Sequence, residues 1–402
     1  MNLRRLMAVA LVLGLSACAP DVPTQLESGF SMSNHSMAFA NFALGYDGSE
    51  MDAELLQRMF GSGVCQNAAS PCQLTASARA FVKKANKSMT GGRCEGFAVM
   101  ASLFESGKLK PADFGGETAR DLSLDDNVAL QREIAYWFST QLVSEVSASK
   151  TKGYQAKDVM PVLAKALAKN APERYRLGIV RKKGTTVSGG HALTPIGYYA
   201  DKSEKGVYWL RVYDNNNPDG ERLLKIDTLN NSWEFNAAEN PKKASRLYSG
   251  DSTNKNPLYL APVLIRQGKL KCDFCEGSGK TLVSTTGGAQ VSGGGVGVAG
   301  GELSEGTTPN FSLALDDAPA EFNFFVPPGD VSLKITSPVD ADYPDSEQAV
   351  DVQGLNFAAS AFNLHVTSTD QLDVGQGGTT LAYRNASGNP LGHLHAEPGA
   401  DG

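Results

Sequence analysis

The chain has 402 residues, 37 Lys+Arg against 43 Asp+Glu, and a formal charge of −6. Apolar residues make up 41% and charged residues 20%, a globular balance on a chain long enough for more than one domain. An acidic chain without a Lys/Arg run has no electrostatic grounds to bind nucleic acid. Collagen, coiled coil and polytopic membrane protein are excluded, since no stretch after residue 17 approaches the ~20 apolar residues that span a bilayer.

Arg4 and Arg5 form a positive start, and Leu6 to Leu15 is an apolar run too short to span but right for a signal segment. Leu15-Ser16-Ala17-Cys18 resembles the bacterial lipobox. That resemblance implies removal of residues 1–17 and a lipid on Cys18, so that the chain meets a membrane through its N-terminal lipid. Ala19 and Pro20 follow without an Asp, which by the same resemblance implies the outer membrane of a bacterial cell envelope. Residues 18–45 are mixed and polar, and the expectation for them is a tether.

A domain is expected over 46–270. Ser49-x-x-Asp52 opens a helix whose Leu55, Leu56, Met59 and Phe60 share a face, stopped by Gly61. Thr75 to Met89 predicts a second helix, broken by Gly91-Gly92, and Cys94 to Phe104 a third. Val128 to Val146 predicts one long amphipathic helix and Asp158 to Ala168 another. The period then changes. Tyr175–Val180, Ala192–Tyr199, Val207–Tyr213 and Arg222–Ile226 predict strands, with one more at Trp233 and Phe235. Helices first and strands later make an α+β domain with segregated layers. Residues 276–308 are Gly/Ser-rich and predict a linker. Short alternating segments over 310–402 predict a small all-β, sandwich-like module.

There are six cysteines. With Cys18 assigned to lipid, Cys65 and Cys72 flank a short polar loop, and Cys272 and Cys275 form C-x-x-C; each pair can close locally in an oxidising compartment. Cys94 is left over, either an intermolecular cross-link or a reactive group. The C-x-x-C run resembles a single unit of the J-domain chaperone zinc motif, a fold that needs four such pairs. Gly279-Lys280-Thr281 lacks the earlier glycine of a phosphate loop. His393-Leu-His395 offers only two ligands, so no metal and no cofactor are expected.

Three segments carry the chemistry. Gly91-Gly92-Arg93-Cys94-Glu95 delivers a thiol to a helix start, where unpaired N–H groups and the helix dipole favour thiolate. Arg93 adds positive charge nearby, and Glu95 reads as a solvated first-turn acid. Ser188-Gly189-Gly190-His191 opens a strand. Tyr213-Asp214-Asn215-Asn216-Asn217-Pro218 closes the next strand, and a carboxylate there can take the His Nδ1–H and fix the tautomer. Asp214 is favoured as orienter, with Asn215 the alternative, because neighbours on a strand face opposite ways.

A Cys at a helix start, then a His on a strand, then Asp/Asn at the next strand's end is the chain order of papain-like cysteine peptidases. The Gly-His-Ala and Tyr-Asp-Asn-Asn segments also resemble a group of bacterial papain-like lipoproteins. The resemblance spans about residues 40–270. It implies Cys94 as nucleophile, His191 as general base, Asp214 as orienter, and a peptide or protein substrate. Cys94 and His191 are 191 − 94 = 97 positions apart, closer than in papain, and the oxyanion Gln expected just before the Cys is absent; Asn86 or Ser88 stands in for it. Three readings follow: a lipid-anchored thiol peptidase, a peptidoglycan endopeptidase, or a catalytically silent binding or structural lipoprotein.

Overall fold

The computed structural model describes residues 22–43, 50–65, 71–151, 156–168, 171–183, 186–238, 247–254, 256–272 and 275, and C-terminally 281–286, 289–293, 296–299, 302–303, 322–326, 329–336, 348–354, 357–375, 379–388 and 392–398. The signal segment and Cys18 lie outside the described residues. The architecture is α+β, with a helical layer, a curled antiparallel sheet and two smaller β-sheets.

The expected tether differs. Gln25–Glu27 forms strand β1 and Met32–His35 a one-turn helix α1. Met37 is fully buried, and Phe39 and Phe42 pack edge-on against Phe97. This polar-looking segment is therefore part of the domain, anchored by a few well-placed apolar side chains rather than by a periodic pattern.

Helix α2 (Ala53–Phe60) is capped by Asp52, whose carboxylate accepts from Leu55 N at 2.9 Å, and ends at Gly61 with φ +84°. Helix α3 (Ala76–Met89) is capped by Thr75. Helix α4 (Cys94–Glu105) is buried along nearly its whole length, with the helical core on one side and the sheet on the other. The long helix expected over 128–146 is instead α5 (Val128–Ser139), a 3₁₀ turn at Thr140–Leu142 and α6 (Ser144–Ala148). Ser139 and Thr140 bend it by turning their hydroxyls back onto the carbonyls of Ala135 and Trp137. Helix α7 spans Ala156–Ala166.

Gly96 sets how closely α4 and α5 approach, because an added Cβ would overlap the carbonyl of Ile134. Gly96→Ala is expected to destabilise the chain by about 1–3 kcal/mol through overpacking. Urea unfolding checks it; an unchanged midpoint would show that the helices part without cost.

The sheet contains β2 (Tyr175–Lys183), β3 (Thr186–Ala200), β4 (Val207–Tyr213), β5 (Glu221–Asp227), β6 (Ser232–Asn236), β7 (Leu247–Gly250) and β8 (Leu258–Pro262), in the order β7-β6-β5-β4-β3-β2-β8, with β1 on β3. The first half of β3 pairs with β2 and its second half with β4, while Gln25–Glu27 pairs with Gly197–Tyr199 on the other edge. This change of partner falls between Leu193 and Thr194, next to His191. Helix α4 covers one face through Ala98 and Ala101, packed with Ala192 and Ile196 of β3. Helix α7 covers the other through Val159, Met160 and Leu163 against Leu177, Ile179 and Leu193. Small residues on the α4 side let a helix lie flat on the strands.

The linker expected over 276–308 is also revised where it is described: Thr281–Thr286, Gln290–Gly293, Val296–Ala299 and Glu302–Leu303 are strands β9 to β12. With β13 (Phe322–Val326), β14 (Val331–Thr336), β15 (Gln348–Gln353), β16 (Phe357–Leu364), β17 (Thr369–Gly375), β18 (Thr380–Arg384) and β19 (His393–Pro398) they make a six-stranded and a five-stranded antiparallel sheet. Val283 and Val352 of one sheet share a core with Val291, Leu333 and Leu372 of the other. The glycines hide an alternation of Val and Thr that is enough for pairing.

Candidate active site

Gly92, at φ +124°, turns the chain between α3 and α4, a conformation that a side chain rarely permits. Arg93 occupies the N-cap position without a side-chain cap bond, and Cys94 takes the first position of α4, where backbone N–H groups have no partner inside the helix. Cys94 is a reduced thiol. The other two expected pairs close as disulfides, Cys65–Cys72 and Cys272–Cys275.

His191 comes from β3 and Asp214 from the residue after β4. His191 Nε2 lies 2.7 Å from Asp214 Oδ1, with both groups buried. The Cys94 thiol is an electrostatic neighbour of the same ring, and Nδ1, which Asp214 leaves unused, has no hydrogen-bond partner among the described residues. The ring is therefore turned opposite to expectation. Its distal nitrogen is the one that reaches the end of β4, which leaves the nitrogen nearer the backbone for sulfur. The structure thus brings together thiol, imidazole and carboxylate.

Electrostatics follow from this packing. Burial alone would lower the pKa of His191, but Asp214 and Cys94 together push it up to about 10. Burial opposes the charge on Asp214, yet the His191 ring, Asn217 Nδ2 (2.8 Å) and Asn216 N (2.9 Å) hold its carboxyl below the usual range. At neutral pH the imidazole is therefore protonated beside an ionised Asp214, the state that suits a thiolate partner.

Asn215 points the other way and is not the orienter. Its Nδ2 donates to Ala192 O at 2.9 Å and Cys94 O at 3.2 Å, tying the helix start to β3. The Asn86 amide exchanges hydrogen bonds with the backbone of Met51 at 2.7 and 3.0 Å, which turns it toward the start of α2. Ser88 is buried on α3, and no contact of it with the thiol is described. Arg93 turns away from Cys94 and donates to the carbonyls of Phe42, Ala43 and Met89, with its guanidinium 4.8 Å from the Phe42 ring centre.

Glu95 is the largest departure from the sequence reading. It is wholly buried and accepts from Arg176 Nε and Arg266 Nη1, each at 2.7 Å. Asn41 belongs to the site although its position gave no reason to expect it. Its Oδ1 accepts from Arg93 N at 2.7 Å, its backbone N donates to Asn215 O at 2.7 Å, and its Nδ2 donates to Asn216 Oδ1 at 3.0 Å. It clasps the residue before the thiol to the loop that holds Asp214. Nearby, Tyr213 donates to Met37 O, and Arg120 joins Ser36 to Pro218 O. Residues 36–43 therefore form a strap across the site. Cys94 is 0% and His191 2% exposed.

Among the described residues no group of three or more His, Cys, Asp or Glu could hold a metal ion, and no helix is long and apolar enough to cross a membrane. His393 stacks on Phe362, and His35 accepts from Ser31 N at 2.9 Å. No family model, curated protein or solved structure matches this chain.

Proposed function

We propose that the chain is an exported, lipid-anchored, papain-like thiol peptidase held in the bacterial cell envelope. The observation that carries this reading is the meeting of one reduced thiol at a helix start with a single imidazole that a buried carboxylate holds from the far side. Local disulfides account for the other described cysteines, as suits an oxidising compartment.

In this reading the Cys94 thiolate attacks a peptide carbonyl. His191 gives its proton to the departing amine, and water then resolves the thioester with His191 as base. Asp214 holds the ring and its charge throughout. Cys94 and His191 are closed from solvent, so a substrate enters only when the strap over residues 36–43 shifts. Asn41 is the residue whose bonds must yield.

The test is cleavage of fluorescein-labelled casein by the chain starting at Cys18, against its Cys94→Ala variant. Loss of about 10³-fold or more in the variant is expected, as for removal of a nucleophile. Equal cleavage by both proteins sinks the reading. The burial of the thiol favours a second reading, a silent scaffold with a vestigial site. That reading expects no casein cleavage and no labelling of Cys94 by iodoacetamide in the native chain.

A further inference from the structure

Cys94 sits in a small buried group with Ala98, Val180, Ala192, Tyr259 and Ala261. Among these only Tyr259 brings an oxygen-bearing side chain to the thiol. Its place is set by sheet register: Tyr259 lies across from Gly178, and Gly178 from Ala192, the residue after His191. A Cβ on Gly178 would overlap both the Tyr259 ring and Arg176. The absent side chain is thus the space that ring and guanidinium fill.

Tyr259 is 3% exposed, and its hydroxyl proton has no acceptor among the described residues, the Arg176 guanidinium beside it offering only donors. The Arg176 guanidinium lies 4.8 Å from the ring centre, with both Nη atoms likewise unsatisfied, as is one Nη of Arg266. Two guanidinium charges here face one carboxylate, Glu95. The locality carries more cationic than anionic groups and is rich in donors. A buried O–H left without an acceptor needs a reason. Burial keeps the Tyr259 proton in place, with its pKa pushed up to about 12, and the hydroxyl is near enough to Cys94 to feel charge on the sulfur. It is nevertheless not bonded to that sulfur. A donor held close to a nucleophile but not engaged by it is poised for the atom that the nucleophile creates.

We propose that the Tyr259 hydroxyl donates to the oxyanion formed when Cys94 adds to a peptide carbonyl. This rests on the thiol-peptidase reading and supplies a donor where no Gln precedes the Cys and the Asn86 amide is bonded to Met51. In the step, a sulfur electron pair forms the C–S bond and the carbonyl π pair moves onto oxygen. That oxygen accepts from Tyr259 O–H, whose dipole is backed by Arg176. On collapse the C=O bond re-forms, the C–N bond breaks, and the amine leaves with the proton of the His191 imidazolium. Water then adds to the thioester carbonyl, its proton passing to the neutral His191 ring, and Tyr259 holds the second oxyanion; on collapse the C–S bond breaks, the acid departs and the thiolate–imidazolium pair is restored.

The experiment compares wild type with Tyr259→Phe in casein cleavage and in alkylation of Cys94 by iodoacetamide across pH. Alkylation displaces iodide and forms no oxyanion, so the two readouts separate the roles. The expected result is a kcat about 10²–10³-fold lower, with KM within about twofold, and an unchanged alkylation rate and pH midpoint. Retained kcat overturns the proposal. So does an alkylation rate that falls in step with kcat, which would place Tyr259 in support of the thiolate or the fold. If wild type shows no Cys94-dependent cleavage, the peptidase reading and this inference fall together; cleavage by wild type that survives Tyr259→Phe overturns this inference alone.

Discussion

Asp214→Asn is expected to lower casein turnover by about 10²–10⁴-fold, the range seen when the orienting carboxylate of a triad is removed. The substitution keeps shape but withdraws the charge that holds the His191 pKa near 10. It also replaces an acceptor of the Asn217 amide and the Asn216 N–H with a group that can satisfy only part of that set. Without the carboxylate, burial dominates and the ring becomes neutral near pH 7. Cys94 then loses its cationic neighbour, so its alkylation at neutral pH should slow. The sign for stability follows from the raised pKa of His191. Its contribution is fully present below the unfolded value of 6.5 and is lost as pH rises through about 10. The stability gap between wild type and Asp214→Asn should therefore be wide at pH 6 and narrow above pH 10. Urea unfolding at several pH values measures it. A gap that does not narrow, together with turnover within tenfold of wild type, would show that Asp214 only shapes the turn.

The parts of this molecule legible in sequence are those written in local signals. The helices after Ser49 and from Thr75 are written in short polar residues before apolar runs, although the start expected at Ser49 moves three residues on, to Asp52, which satisfies a first-turn N–H as Thr75 does. The Gly-Gly turn before Cys94 and the alternation of Val207–Tyr213 are likewise local. The pairing of His191 with Asp214 was open to inference because strand order brings successive strand ends together. What escaped depends on partners far along the chain. Residues 25–27 show no strand pattern of their own and are extended because the edge of β3 at Gly197–Tyr199 is free to take them. Asn41 is one asparagine in a polar stretch until Arg93 and Asn215 meet it. Glu95 has the address of a solvated helix acid, and nothing near it announces Arg176 or Arg266. The bend at Thr140 carries neither Gly nor Pro and arises from hydroxyls folding back on the helix.

The same remote partners make Glu95 the most consequential position for folding. Glu95→Ala would leave Arg176 and Arg266, both fully buried, without their shared carboxylate. Breaking a buried pair from one side costs about 3–5 kcal/mol, because a charge stays in a low-dielectric interior uncompensated. For a domain of this size that corresponds to a fall of roughly 6–20 °C in Tm. Removing the whole set is different. A triple variant, Glu95→Leu with Arg176→Met and Arg266→Met, leaves neither guanidinium without its carboxylate and should recover most of the loss. Burial opposes the charge on Glu95, but Arg176, Arg266 and Lys150 outweigh it and hold the carboxyl below its ordinary 4.5. Its stabilisation is thus present above pH 4.5 and disappears as pH falls through the lower folded value. Glu95→Gln, which keeps the shape without the charge, should accordingly flatten the acid limb of the stability profile. Calorimetry of the four proteins between pH 3 and 7 decides the matter. If Glu95→Ala melts with wild type, or the triple variant melts lower still, the cluster is held together by packing and not by its charges.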